Sequence, residues 1–408
     1  MAHEADRPGP GPDGPQDPGG AGRSGNGNGN GSGSGSGSGG RSPDGPGSGS
    51  PGEPGGFPGA EGLGGLGGVV RELRDAVTPR SAFVVFGVLL LQLGFALSYM
   101  GAFHAPKPHR VPVVVAAPPS VRQAAVARLN ALPGEPVHAT AVTGEAQARQ
   151  RLLERRTDAA FLLDPRAAAD TLLVASAAGS SASDAATKVV RTVNTAQHRD
   201  VVVRDIRPPA AGDFRGLSSF YLVLSWTIGG YLASSALSMA AGSRRPTLRR
   251  VLVRLLVMLP YAFVSGIGGA VIVGPVLNCL PGAFWELAGI GTLVVYASAA
   301  AGVALQSLAG TVGLGLTILI FTVLGNPSSG GVYPASLLPP FWRAIGQALP
   351  PGAGTTAVRN TVYFDGHRIA AAIWVLVAWA VGGSLVAVAS SAVRGLRARR
   401  ALVARATV

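Results

Sequence analysis

The sequence is poor in charge, in lysine and in cysteine. Asp, Glu, Lys and Arg make up 13% of its 408 residues, about half the usual globular share, which excludes an ordinary soluble enzyme. The single cysteine, Cys279, excludes a disulfide framework within the chain and any multi-cysteine metal site. Lysine occurs only at Lys107 and Lys188, so the net charge of +13 is almost all arginine. No G-x-x-x-x-G-K-[ST] occurs, and neither lysine sits in a glycine loop, so the chain is not expected to hydrolyse ATP. The six histidines (His3, His104, His109, His138, His198 and His367) all fall outside the apolar runs, as does every Asp, and Glu286 stands at the edge of one. An intramembrane protease or a midplane proton relay needs such groups inside the runs. The expectation is a protein that is not an enzyme and holds no cofactor or metal.

Glycine and proline are unevenly placed. Residues 1–68 hold 27 Gly and 10 Pro with one aromatic, Phe57. Such a segment cannot bury enough apolar surface to offset its ordering entropy, and it reads as a disordered cytoplasmic tail. Gly62, Gly64 and Gly67 match the dinucleotide fingerprint by chance, since no strand precedes them.

Long uncharged stretches fill the rest. Between Arg80 and Lys107 lie 26 residues without a charge; 28 separate Arg215 from Arg244, 31 separate Arg254 from Glu286, 56 separate Glu286 from Arg343, and 25 separate Arg368 from Arg394. A helix needs about 20 apolar residues to cross the hydrocarbon. The pattern predicts an α-helical polytopic membrane protein with six transmembrane helices, near 82–103, 217–239, 251–274, 284–305, 308–325 and 370–392. The bilayer is thus one expected partner. Many arginines flank these runs, which fits a membrane protein and excludes a nucleic-acid partner. Arg71, Arg74 and Arg80, the Arg244–Arg254 group, and a basic tail at 393–408 fall on one side of a six-span chain. That predicts a multi-pass protein of the cell membrane with both termini cytoplasmic. Trp226, Trp285, Trp342, Trp374 and Tyr99 fit interfacial anchors.

Between spans one and two, residues 104–216 read as a small extracytoplasmic α/β domain. Strands are expected at Val111–Ala117, Val137–Val142, Ala159–Leu163 and Leu172–Ala177. Helices are expected at Val121–Leu132, Glu145–Arg156 and Ala185–Gln197, the last continuing toward the membrane. Residues 217–392 form the five-helix transmembrane domain, with an outer helical hairpin at 326–368. Within it, Pro339, Pro340, Phe341, Trp342, Pro350, Pro351 and Arg359 mark a segment expected to re-enter the membrane, the alternative being an external loop whose helices lie at the outer interface. Two short helices, near 340–348 and 353–364, are separated by Pro350-Pro351. Phe341, Trp342 and Ile345 give the first one an apolar face.

One span, a large external domain and five closely spaced spans resemble the permease subunits of ABC-2 type transporters, in the phage-infection-protein-like branch. The likeness rests on Asn326-Pro-Ser-Ser-Gly-Gly, Tyr333-Pro334, Leu338-Pro339, Phe341-Trp342, Leu349-Pro350-Pro351-Gly352 and Thr356-Ala-Val-Arg359-Asn360. It covers roughly residues 80–400 and is weak in 104–216. The resemblance implies an export permease for a hydrophobic or amphipathic substrate, working as a homodimer, or paired with a partner chain, with a separate nucleotide-binding ATPase. Arg244, Arg245, Arg249 and Arg250 lie where that ATPase would dock. The alternative is a membrane-anchored receptor or scaffold that presents 104–216 outside without transport.

Overall fold

The computed structural model describes residues 78–240 and 247–406. The tail at 1–68, and Arg244 and Arg245 of the docking candidates, lie outside the described residues.

The chain enters the described region through α1 (Pro79–Phe103) and then builds an α/β domain. Its elements are β1 (Val111–Ala116), α2 (Pro119–Asn130), β2 (Val137–Val142), α3 (Glu145–Leu153), β3 (Ala159–Leu162), β4 (Ala169–Val174), α4 (Ser180–Thr195) and β5 (Asp200–Asp205). The strand order is β2-β1-β3-β4-β5. β2 and β3 flank β1 in parallel, β4 runs antiparallel to β3, and β5 runs parallel to β4. Side chains alternate across a strand, and both faces of β1 are buried. Val111, Val113 and Val115 pack with Leu129 of α2 and Val190 of α4. Val114 and Ala116 face α3, where Ala148 and Leu152 are fully enclosed.

Two polar side chains, buried Asp170 and exposed Asn130, tie this domain together. Asp170 of β4 accepts from Arg199 at 2.7 and 2.9 Å and from Asn194 of α4 at 2.7 Å. Asn130, at the end of α2, donates to Ala139 O at 3.0 Å and accepts from Ala139 N at 2.7 Å. β1, β2 and β3 fall where the sequence places them, and β4 begins and ends three residues earlier than the expected Leu172–Ala177. β5 was not expected: Val201, Val202 and Val203 are framed by charged residues, and an edge strand needs no continuous apolar pattern. α4 accordingly stops at Thr195 rather than running on toward the membrane, and the chain turns back into the sheet.

After the domain come α5 (Ser218–Ala240), α6 (Leu248–Val276, whose last turn over Ile272–Val276 is π-helical), α7 (Phe284–Ala309) and α8 (Val312–Ser328). Next are α9 (Pro340–Gly346), α10 (Pro350–Tyr363) and α11 (Ala370–Ala406). Five helices are long and apolar enough to cross a bilayer: α1, α5, α6, α7 and α11. The sixth expected span corresponds to the shorter α8, which is α-helical over Val312–Ile318, π-helical over Leu319–Leu324 and α-helical again over Gly325–Ser328. The basic segment at 393–408 is not a free tail. α11 continues as helix to Ala406, and Arg394 turns back to donate to Ser307 O at the end of α7.

α7 is the axis of the bundle, with α5, α6 and α11 packed around it. Small residues make this possible, since without side-chain bulk two helix backbones can approach closely. Ala297, Ser298, Ala299, Ala300, Ala301, Gly302, Val303 and Ala304 are all buried. A Cβ at Gly266 of α6 would overlap Ala288 O of α7, and one at Gly383 of α11 would press on the α7 backbone at Ala300. Trp226 of α5 lies flat against Gly269 and Gly291 and donates from Nε1 to Ser265 O at 3.1 Å. Trp226 is therefore an enclosed core residue and not an interfacial anchor, whereas Trp285 and Trp374 are exposed, as an anchor requires.

Candidate functional site

The distinctive 326–368 segment folds into α9 and α10, and its placement begins in α8. Pro327 has no N–H to offer the carbonyl four residues earlier, Val323. Ser98 of α1 supplies the missing donor, at 2.5 Å to Val323 O, and itself accepts from Trp342 Nε1 of α9 at 3.2 Å. The Trp342 ring covers Gly101 of α1. This three-way contact attaches α1 to α8 and α9, and it joins residues 244 positions apart.

Pro339 caps α9 and Pro340 opens it; Pro350 and Pro351 open α10. The second pair therefore stands inside the first turn of α10, which starts at 350 rather than 353, because proline at the first helical positions forfeits no hydrogen bond. Of the expected apolar face of α9, Trp342 and Ile345 are half-buried and Phe341 is exposed. The two helices meet through glycine. A Cβ at Gly346 would overlap Ser328 O, and one at Gly352 would overlap Gly346 O. α10 does not lie on a surface: nearly every residue from Pro350 to Asn360 is buried, and Gly354 fits between Val223 of α5 and Val294 of α7.

Arg359 of α10 is buried and reaches three backbone oxygens: Gly330 O at 3.0 Å, Gly331 O at 3.2 Å and Gly216 O at 3.4 Å. It thus binds the α8–α9 connection to the entry of α5. Burial draws its guanidinium down to about 10, with Arg155 adding to the fall and Asp213 opposing it. One turn on, Tyr363 donates to Asp213 Oδ2 at 2.6 Å, and Ala210 N donates to the Tyr363 hydroxyl at 3.3 Å. Asp213 Oδ1 accepts from Ser218 N, the first residue of α5, at 2.7 Å. Burial, reinforced by the bond to Asp213, raises the Tyr363 hydroxyl above its ordinary value.

The same turn meets the α/β domain. Arg155, just after α3, lies 5.0 Å over the Phe364 ring and pairs with Asp158 at 3.7 Å. Burial pushes Asp158 up and Arg155 down, each partly countered by the other. Arg207 donates to Tyr363 O at 2.7 Å. The apolar core is continuous here as well. Leu152 and Leu173 of the domain share one cluster with Leu280, Ala357 and Phe364. The sheet is thus covered on one face by α2 and α4, and on the other by α3 and the end of the bundle.

A groove of about 560 Å³ runs beside this junction, between the first turns of α7, the end of α10 and the start of α11. Ile290, Leu293, Ile369 and Ile373 form apolar walls, with Glu286, Asp365 and Thr361 also lining it. No group of three or more metal-ligating side chains exists among the described residues.

Of the docking candidates, Arg249 and Arg250 are exposed in the first turn of α6, which Thr247 caps by accepting from Arg250 N at 3.5 Å. Cations at a helix N-terminus oppose its dipole, so helix stability does not account for them. They are far in sequence from the hairpin, and no hydrogen bond or ion pair joins the two sets among the described residues. Sequence reasoning singled out Arg359 but missed Ser98, Asp213 and Tyr363; an Asp and a Tyr beside apolar runs were the available signal. No known protein family matches the chain, and neither the curated proteins nor the solved structures provide a match.

Proposed function

We propose that the chain is the permease subunit of an ABC-2 type exporter. It sits in the cell membrane with both termini cytoplasmic, and α8 serves as a sixth, short span. The observation that carries this reading is the α9–α10 hairpin immediately before the last long helix, whose second arm, α10, is buried among α5, α7 and α11. Non-helical backbone at membrane depth is tolerated where protein encloses it, and the glycine contacts and the Arg359 bonds supply that enclosure. The apolar groove with Glu286 and Asp365 on its lining suits an amphipathic substrate. The drive comes from a separate ATPase, docking on the α5–α6 connection and the start of α6, where Arg244, Arg245, Arg249 and Arg250 stand.

Affinity capture from native membranes tests this. An ATPase is expected to copurify. Changing all four arginines to lysine should keep the orienting charge and lose the planar bidentate fork, so capture should fall severalfold while insertion persists. Absence of any ATPase would shift the reading to a receptor that displays the α/β domain. In a Cys279→Ala background, an impermeant thiol reagent applied to intact cells should label Arg166→Cys and spare Arg250→Cys, both at exposed positions. Labelling of the second would overturn the orientation.

A further inference from the structure

Two glutamines stand within the membrane-length helices, and the structure treats them oppositely. Gln306 of α7 is buried and donates to Ser235 of α5 at 2.9 Å. Gln92 lies at the middle of the apolar run Ala82–Phe103, its side chain is exposed, and it has no hydrogen-bond partner among the described residues. At 100° per residue it sits about 120° round the helix from Ser98, which faces the chain's own bundle. Hydrocarbon offers an amide neither donor nor acceptor, and leaving one unsatisfied there costs several kilocalories per mole.

We infer that α1 pairs with α1 of a second copy of this chain, with the two Gln92 amides hydrogen-bonded to each other at the bilayer midplane. This rests on the membrane-spanning reading of α1. Three features select a second copy over a different protein. An amide carries both a donor and an acceptor, so two of them satisfy one another reciprocally. A twofold axis along the membrane normal sets each residue at the same depth as its counterpart, and an isologous contact needs just such self-complementarity. Gln92 also sits in a stripe fit for pairing. Val85, Leu89, Gln92 and Ala96 follow one another at i, i+4, i+7 and i+11, all exposed, and Ala96 is small enough for close approach. The side of α1 with Ser98 and Gly101 is occupied by Val323 and Trp342, and Tyr99 and Phe103, which continue the stripe beyond Ala96, meet Asn326 and Tyr333, so pairing along Val85–Ala96 leaves the contact with α8 and α9 intact.

The test is oxidative crosslinking of the full-length chain in native membranes, in a Cys279→Ala background. Single cysteines replace Val85, Leu89, Gln92 or Ala96 on the stripe, and Leu90 or Leu97 away from it. A covalent homodimer is expected from the first four and not from the last two. In lipid nanodiscs or micelles, Gln92→Leu should weaken self-association about tenfold, and Gln92→Asn should keep most of it, with the unfolding midpoint of the monomer unchanged in both. Absence of crosslinks on the stripe, equal crosslinking on every side, or crosslinks only to another protein would each overturn the pairing while the chain resists alkaline carbonate extraction. Release by carbonate would instead overturn the membrane-spanning reading and the pairing with it.

Discussion

α1 and α7 are both long, apolar and almost free of charge, yet 78% of the most apolar stretch of α7 is buried within the chain and only 6% of that of α1. Hydrophobicity does not separate them, because in a bilayer lipid tails cover an apolar side chain as well as a neighbouring helix does. Side-chain size does. α7 offers alanine, serine and glycine to three neighbours, while α1 exposes Phe83, Val84, Phe86, Leu90 and Leu97. A helix is drawn into this bundle by how closely its backbone can be approached.

The strongest way to break that comparison is at Trp226, whose ring fills the slot made by Gly269 and Gly291. Trp226→Ala should cost about 3–5 kcal/mol, seen as a large drop in the unfolding midpoint of the purified protein; a shift of a degree or two would mean the slot does not hold the bundle. Adding bulk sharpens the contrast. Gly291→Ala drives a methyl into the Trp226 ring and should cost about 1–3 kcal/mol. Gly87→Ala on α1, where nothing lies within 4 Å of the added atom, should be neutral or slightly stabilising. Equal effects at the two glycines would end the distinction. The smallest loss of stability is expected at the Ser98 attachment of α1. Ser98→Ala leaves Val323 O without its side-chain donor and should cost about 1 kcal/mol. It should also loosen α1, read as faster proteolysis of the connection at 104–110 with the rest of the chain unaffected.

The α/β domain was largely legible because each of its signals is local. Val111–Ala116 alternates between two cores, and Asn130 and Glu145 close and open helices near the expected positions. β5 was not legible, since an edge strand with one exposed face can carry Asp200, Arg204 and Asp205. The hairpin was half legible. Its prolines announced two short helices, but whether α10 lies on a surface or among α5, α7 and α11 depends on Gly354 meeting Val223 and Val294, partners far away in sequence. Trp226 shows the same limit. A tryptophan near the start of an apolar run reads as an anchor until two glycines on other helices make a slot for it.

By itself, then, the sequence determined where the apolar helices run, that a folded α/β unit separates the first from the rest, and that prolines break the segment before the last. These follow from spacing, periodicity and the fixed φ of proline, which act within a few residues. The tertiary structure alone decided that α7 is the axis, that α1 stays outside with Gln92 uncovered, and that Arg359, Tyr363 and Asp213 knit hairpin, bundle and domain together. Each of those depends on side chains tens to hundreds of positions apart. Close packing and the need to satisfy buried polar groups select such pairs only once the chain has folded.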